Sequence, residues 1–201
     1  KERIAYLPGT YLCSDSKRPI AERTPSRAEA GLPETGFVFC SFNNSYKFSP
    51  TVFDVWMRIL SAVPGSVLWL PDASVPVCAN LRREAKTRGV APERLIFAPK
   101  LPSNADHLAR LRCGDLFLDT LPYNAHTTAS DALWAGLPVL TCRGKTFAGR
   151  VAASLLGAVG LPELIADSLE DYQKQAVALA NDPARLTEIG NKLARNRETH
   201  P

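Results

Sequence analysis

Leu118-Asp119-Thr120-Leu121-Pro122-Tyr123-Asn124-Ala125-His126-Thr127-Thr128-Ala129-Ser130-Asp131-Ala132-Leu133-Trp134-Ala135-Gly136-Leu137-Pro138 decides the reading of this chain. An apolar run ends in a proline turn, a dense polar cluster follows, and that cluster opens an amphipathic helix expected over 127–135. The first N–H groups of a helix lack partners inside it and carry partial positive charge, so such a start attracts phosphate. A strand running into a loop and helix of this kind is the local architecture of nucleotide sites in α/β proteins. Thr127 or Thr128 is also a competent helix cap. Capping accounts for one threonine and leaves Asn124, His126 and Asp131, crowded into the same turn, unexplained.

The same alternation extends to both sides of that stretch. Residues 37–42 read as a strand, and Ser49-Pro50 then offers a cap and a first-turn proline. Val52, Val55, Trp56, Ile59 and Val63 follow on one helical face before Pro64-Gly65 stops it. Further strands are expected at 66–70, 95–98, 115–119 and 138–141, with helices at 79–88, 104–112, 127–135 and 147–156. Ser168 with Asp171, and Asp182-Pro183, open two closing helices. Five apolar strands alternating with helices predict an α/β fold, a Rossmann-like parallel sheet covered by helices on both faces. Residues 4–8 are strand-like, and 14–35, rich in Arg, Ser, Pro and Glu, read as a linker. The division expected is therefore a tail of a preceding lobe with its linker over 1–33 and a nucleotide-binding lobe over 34–201. Lys1 at the start and the abrupt stop at His200-Pro201 read as a piece cut from something longer.

Composition bounds the partners. With 201 residues, 45% hydrophobic, the chain can bury a full core without disulfides or metal. A net charge of +4 suits a small anionic ligand and is too weak for a nucleic-acid surface. The five cysteines lack a CxxC or close Cys/His spacing, which suits reduced thiols in a cytoplasmic protein. No apolar stretch reaches the roughly 18–20 residues of a membrane span, and no signal-peptide pattern opens the chain.

Ligands of such sheets bind at the carboxyl ends of the strands, and the polar clusters fall there. Asn43, Asn44 and Lys47 follow the first strand, and Asn104, His107 and Arg110 the third. Tyr123, Asn124, His126, Thr127, Thr128 and Asp131 follow the fourth, and Arg143 to Thr146 the fifth. His107 and Arg110, three apart, share a helix face and together suit a flat base. Lys47 stands just before the Ser49 cap, within reach of a phosphate, and Asp131 one turn into its helix suits a ribose hydroxyl. Several motifs are missing. There is no GxGxxG, and Gly144-Lys145-Thr146 lacks the earlier glycine of a phosphate loop, having Val139 there. There is no Asp-x-Asp to hold a metal–diphosphate, and no Ser/His/Asp set or carboxylate pair for hydrolysis.

The order Phe-Cys-Ser-Phe-Asn-Asn-Ser-Tyr-Lys (39–47), then His107 and Arg110, then 119–136, then Gly144-x-Thr146-Phe147-Ala-Gly-Arg150, resembles a known family. It is similar to the carboxyl-terminal catalytic lobe of the O-linked N-acetylglucosamine transferases and SPINDLY-like proteins, more narrowly their bacterial homologues, over about 37–197. The resemblance implies one lobe of a GT-B fold and a metal-independent, inverting transfer of N-acetylglucosamine from UDP-GlcNAc to protein Ser or Thr, with no cofactor. By the same resemblance Lys47 is the catalytic contact to the departing diphosphate, and Thr127 and Thr128 hold its phosphates. His107 and Arg110 hold the uracil, Asp131 the ribose, and Asn44 and His126 the phosphate and sugar side; Asn104, Tyr123 and Asn124 complete the expected donor site. The animal enzymes have glutamine where Asn44 stands and cysteine where Tyr123 stands, beside the donor's N-acyl group, and their ribose lysine has no counterpart near Ser103-Asn104. The acceptor groove and candidate general base are expected in an amino-terminal lobe, and tetratricopeptide repeats upstream, so the isolated chain is expected to be inactive. The alternatives are the same fold using GDP-fucose or another UDP-hexose, and a non-catalytic nucleotide-binding or scaffolding module.

Overall fold

Among the described residues six strands form one parallel layer in the order β3-β2-β1-β4-β5-β6. They are β1 (Val38–Cys40), β2 (Val67–Pro71), β3 (Leu95–Ala98), β4 (Leu116–Leu118), β5 (Val139–Cys142) and β6 (Ile165–Ala166). The helices are α1 (Pro50–Ala62), α2 (Val75–Thr87), α3 (Asn104–Arg110), α4 (Thr127–Ala135), α5 (Val151–Ala158), α6 (Leu169–Ala180) and α7 (Pro183–Thr199). The computed structural model describes residues 3, 7, 9–12, 14–15 and 17–199. The strand-like start expected at 4–8 lies, except for Leu7, outside the described residues.

The strands pair in parallel register, Phe39 with Leu68 on one side and with Leu116 on the other. All three residues of β1 and of β4 are buried, as apolar runs covered on both faces require. Helix α1 packs on α6 and α3 and α5 on α4, giving helices on each side, while α7 touches both α6 and α4. The core is continuous, with Trp56, Trp69, Phe39 and Phe117 among its largest fully buried side chains.

The strand order reverses between β1 and β4, because β1 leads outward to β2 and β3 and the chain then returns to β4. Loops diverge at such a point, leaving a crevice outside the carboxyl ends. The crevice is flanked by Ser41–Lys47 on the β1 side and by 119–128 on the β4 side.

Expectation and structure differ in detail. The expected five strands are six; β6 has two residues, too short for an apolar run to stand out. Helix α2 begins four residues before the expected 79, because Ser74 takes the N-cap position and Pro76 fits the first turn. Helix α5 starts at Val151 rather than 147, since Thr146 Oγ1 and backbone turns fold 146–150 onto themselves. Residues 17–35 hold no helix or strand, yet Leu32 is buried in the core, and Ile20 and Ala30 pack against it.

Candidate functional site

Asp119 ends the apolar run of β4 and organises the loop beyond it. Its Oδ1 accepts from the N–H of Thr120 at 2.7 Å and of Ala125 at 2.6 Å, and its Oδ2 from the Thr141 hydroxyl at 2.6 Å. One carboxylate thereby folds the loop 119–125 back and ties it to β5. Burial pushes its pKa up to about 7, against three hydrogen bonds and the Lys47 charge, all of which favour the ionised form. From behind, the Tyr172 hydroxyl of α6 donates to Asp119 O at 3.0 Å, and the Trp56 Nε1 of α1 donates to Tyr172 at 3.3 Å.

The loop so held carries a cis Leu121–Pro122 bond and leaves Tyr123 exposed with His126 half-buried beside it, whereas the Asn124 side chain, expected at the donor, turns inward. Asn124 is fully buried; its Nδ2 donates to Thr120 O at 2.7 Å and its backbone O accepts from Lys47 Nζ at 2.9 Å. The Lys47 ammonium also lies 4.2 Å from the centroid of the Tyr123 ring. Its pKa is lowered by burial, with the Asp119 charge opposing. Lys47 is therefore a partly desolvated cation held by neutral groups, a state that favours an incoming anion.

Tyr123 stacks on His126, with ring centroids 4.9 Å apart and 20° between planes. His126 Nε2 meets the Ala148 carbonyl at 3.4 Å, which can only accept, so the proton sits there and Nδ1 accepts from the Tyr11 hydroxyl at 3.0 Å. Both ring nitrogens of His126 are thus engaged. His126 is also the N-cap residue of α4 without a side-chain cap bond, so neither threonine caps the helix. Thr128 instead donates to Asn43 Oδ1 at 2.9 Å, bridging the ends of β4 and β1. Thr127 is exposed at the first helical position, and its N–H and that of Thr128 precede any intrahelical acceptor.

On the other flank, Phe42 follows β1 and meets the His107 ring edge-on at 5.5 Å. Arg110 is buried, 5.1 Å from the Phe42 centroid; its Nε donates to His107 Nδ1 at 3.1 Å and its Nη1 to Pro99 O. An arginine is always the donor, so His107 must accept at Nδ1 and carry its proton on Nε2. Burial and the neighbouring guanidinium lower the His107 pKa, while the Asp131 charge raises it. His107 is a neutral ring with one N–H to offer. Asp131, in the second turn of α4, is buried and paired with Arg18.

These contacts close a chain around one rim: Arg110 and His107 touch Phe42, the next residue Asn43 binds Thr128 beside Thr127, and Lys47 binds Asn124. Asn44 is exposed in the β1 loop, its carbonyl accepting from the Lys47 N–H at 3.0 Å. Asn104 is exposed at the start of α3 and is not joined to this chain of contacts. The loop at 143–150 leans on the rim: Asn124 N–H donates to Ala148 O at 2.9 Å, and a Cβ on Gly149 would lie 2.9 Å from Pro122 O. Gly144-Lys145-Thr146 is part of that packed turn, closed by Gly144 N–H on Gly149 O, and not a phosphate loop.

Asp119, Arg18, Tyr11 and Phe42 also belong to this arrangement, and sequence reasoning missed them as site residues. An acid directly after an apolar strand and before a polar loop is the one signal that points to Asp119. A separate cavity of about 120 Å³ between the N-terminal segment and α4, α5 and α7 is mostly apolar, lined by Leu12, Leu133, Trp134, Leu155 and Val159, and suits no polyanion. Among the described residues no three His, Cys, Asp or Glu side chains group as metal ligands. No described helix is long and apolar enough to cross a membrane.

The architecture has close counterparts. A mutant O-GlcNAc transferase of Thermobaculum terrenum superposes with a TM-score of 0.78 at 37% identity, covering 82% of this chain and 32% of that one. The C-terminal domain of a group 1 glycosyl transferase from Francisella tularensis gives 0.60 at 14% identity over 92% of this chain and 94% of that one, a likeness of fold alone. The lobe is thus that of a GT-B glycosyltransferase. Among relatives in sequence, a probable UDP-N-acetylglucosamine–peptide N-acetylglucosaminyltransferase of Arabidopsis thaliana is 36% identical over 206 residues, 100% of this chain and 21% of that protein. A Caenorhabditis elegans protein named for the same activity is 38% identical over 84% of this chain and 14% of its own length. A tomato SPINDLY relative is 35% identical over 96% of this chain and 21% of its own length. The chain spans about a fifth or less of the length of these relatives. The profile of glycosyl transferase family 41 matches residues 2–201, and the chain belongs to that family.

Proposed function

We propose that this chain is the donor-binding lobe of a protein O-glycosyltransferase that moves N-acetylglucosamine from UDP-GlcNAc to Ser or Thr with inversion and without a metal. The observation that carries the reading is Lys47: a half-buried ammonium whose direct contacts among the described residues are Asn124 O and the Tyr123 ring, beside the open N-terminus of α4. As the bond from the sugar to the diphosphate breaks, negative charge grows on the departing phosphate oxygens. Lys47 exchanges Asn124 O for a phosphate oxygen, and the Thr127 and Thr128 N–H groups, with the Thr127 hydroxyl, meet the same charge. Fixed donors of this kind are each worth on the order of 10²–10³ in rate, and here they take the part a cation plays elsewhere.

His107 offers Nε2–H to a carbonyl of the uracil, and Arg110, buried behind it, acts by fixing the tautomer. Asp131 accepts from a ribose hydroxyl. Tyr123 and His126 form the wall on the sugar side, with Asn44 at the phosphate edge and Asn104 at the outer rim of the base. The acceptor serine or threonine, and the base that takes its proton, belong to the length of the relatives that this chain does not span, and the protein works in the cytoplasm.

The test is competition among UDP, GDP, UDP-GlcNAc and GDP-fucose for the chain, with transfer to a Ser/Thr peptide measured on the full-length protein. UDP and UDP-GlcNAc are expected to win, with Lys47→Ala abolishing transfer. Preference for the GDP ligands contradicts the donor; binding without any transfer by the full-length protein makes the lobe a binding module.

A further inference from the structure

The segment before β1 does not stand apart from the rim. Tyr11 reaches His126, Ser14 Oγ lies 2.5 Å from Ser130 Oγ, and Arg18 pairs with Asp131, so three side chains of this segment lie along α4. Trp134 Nε1 donates to the Arg18 carbonyl at 3.1 Å, which anchors the arginine's backbone one helical turn beyond Asp131. A little further on, the Ala21 N–H donates to Ala105 O of α3 at 3.1 Å, so the segment bridges the two helices that carry His107 and Asp131.

Arg18 is built in rather than splayed on the surface. Its side chain is 19% exposed and that of Asp131 11%. Nη1 of Arg18 takes Oδ1 of Asp131, while its Nε and Nη2 are shielded from solvent with no hydrogen-bond partner. Buried donors without acceptors are costly, and a guanidinium held on one carboxylate oxygen leaves the other oxygen free to accept. A ligand hydroxyl donates to that second oxygen of Asp131, while Arg18, buried behind the carboxylate, fixes the orientation from which it accepts.

We propose that Arg18 is a positioning residue of the donor site, which holds the Asp131 carboxylate in the orientation that receives a ribose hydroxyl. The proposal rests on the nucleotide reading of the site and extends it to a residue outside the sheet-and-helix body. Reach from the N-terminal segment also makes nucleotide affinity depend on that segment being seated on α4.

The experiment is calorimetry of the 201-residue chain with UDP and with 2′,3′-dideoxy-UDP, which lacks both ribose hydroxyls. Arg18→Met is expected to weaken UDP about tenfold and the dideoxy ligand less than about twofold, the scale of one lost charged hydrogen bond. Asp131→Asn repeats the pattern, and the double variant is no weaker than either single one. Arg18→Lys restores part of the loss, because an ammonium keeps one contact to the carboxylate. Equal weakening of both ligands makes Arg18 a mere structural support and overturns the proposal, as does unchanged UDP affinity in Arg18→Met. If Arg18→Met does not fold, Arg18→Lys carries the same comparison, with a loss of about threefold confined to UDP expected. Absence of UDP binding in the unaltered chain overturns the nucleotide reading itself, and this inference with it.

Discussion

At the carboxyl end of β4 a single carboxylate, Asp119, holds two loop amides and a β5 hydroxyl, and its pKa sits near 7 because burial outweighs those bonds. The folded state therefore holds this proton more tightly than the unfolded chain, whose aspartates titrate near about 3.9. The contribution is full below that value and is lost as pH rises through about 7. Asp119→Asn keeps an acceptor for the Thr120 and Ala125 amides and removes the titration. The melting temperature of the unaltered chain is expected to fall more steeply between pH 5 and pH 8 than that of Asp119→Asn; parallel slopes contradict this assignment. The place of Lys47, Thr127, Thr128 and Asp131 beyond the strand ends was legible at this scale, because a polar residue after an apolar run stands out in the sequence. The engagement of His126 by Tyr11 was not, since the two are 115 residues apart and nothing local links them. The inward turn of Arg110 onto His107 and Pro99 was hidden for the same reason: spacing gives the face of a helix and not what that face meets.

Helix α4 is the element that brings the rim together. Its bounds, Thr127–Ala135, were legible to the residue, because a polar turn opens it and Gly136, at φ 90°, ends it in the left-handed conformation. Thr128→Val removes the bond from α4 to Asn43 Oδ1, on a side chain that is 1% exposed. A loss of about 1–3 kcal/mol is expected from the orphaned acceptor, read by denaturant unfolding, together with weaker UDP binding. Helix α6 serves from behind, through Tyr172. Tyr172→Phe strips the donor from Asp119 O and the acceptor from Trp56 Nε1, and about 1–3 kcal/mol of stability is expected to go with them. A change within experimental error in either variant would mean that the brace in question is idle. Of the elements that the sequence blurred, β6 is too short to show a pattern, and the starts of α2 and α5 are set by local cap and turn contacts rather than by apolar spacing.

On the scale of the molecule, the parallel order β3-β2-β1-β4-β5-β6 places its reversal beside the two loops richest in polar residues. The layered sheet was legible from alternation alone, but the strand order was not, since apolar runs buried on both faces look alike. Convergence of Lys47, His107, Arg110 and Thr127 is a product of that order. On the proposed reading, binding by this lobe is separable from transfer, and the 201-residue chain is expected to bind UDP while transferring no sugar to a peptide, with measurable transfer by it alone the contrary result. The most direct test of a single diphosphate-and-base pocket compares UDP with uridine by calorimetry, on the unaltered chain and on Lys47→Ala and His107→Ala. UDP is expected to bind far more tightly than uridine, Lys47→Ala to erase most of that difference at a cost of roughly tenfold or more, and His107→Ala to weaken both ligands alike. UDP binding no better than uridine, or as well to Lys47→Ala as to the unaltered chain, contradicts a pocket of that kind.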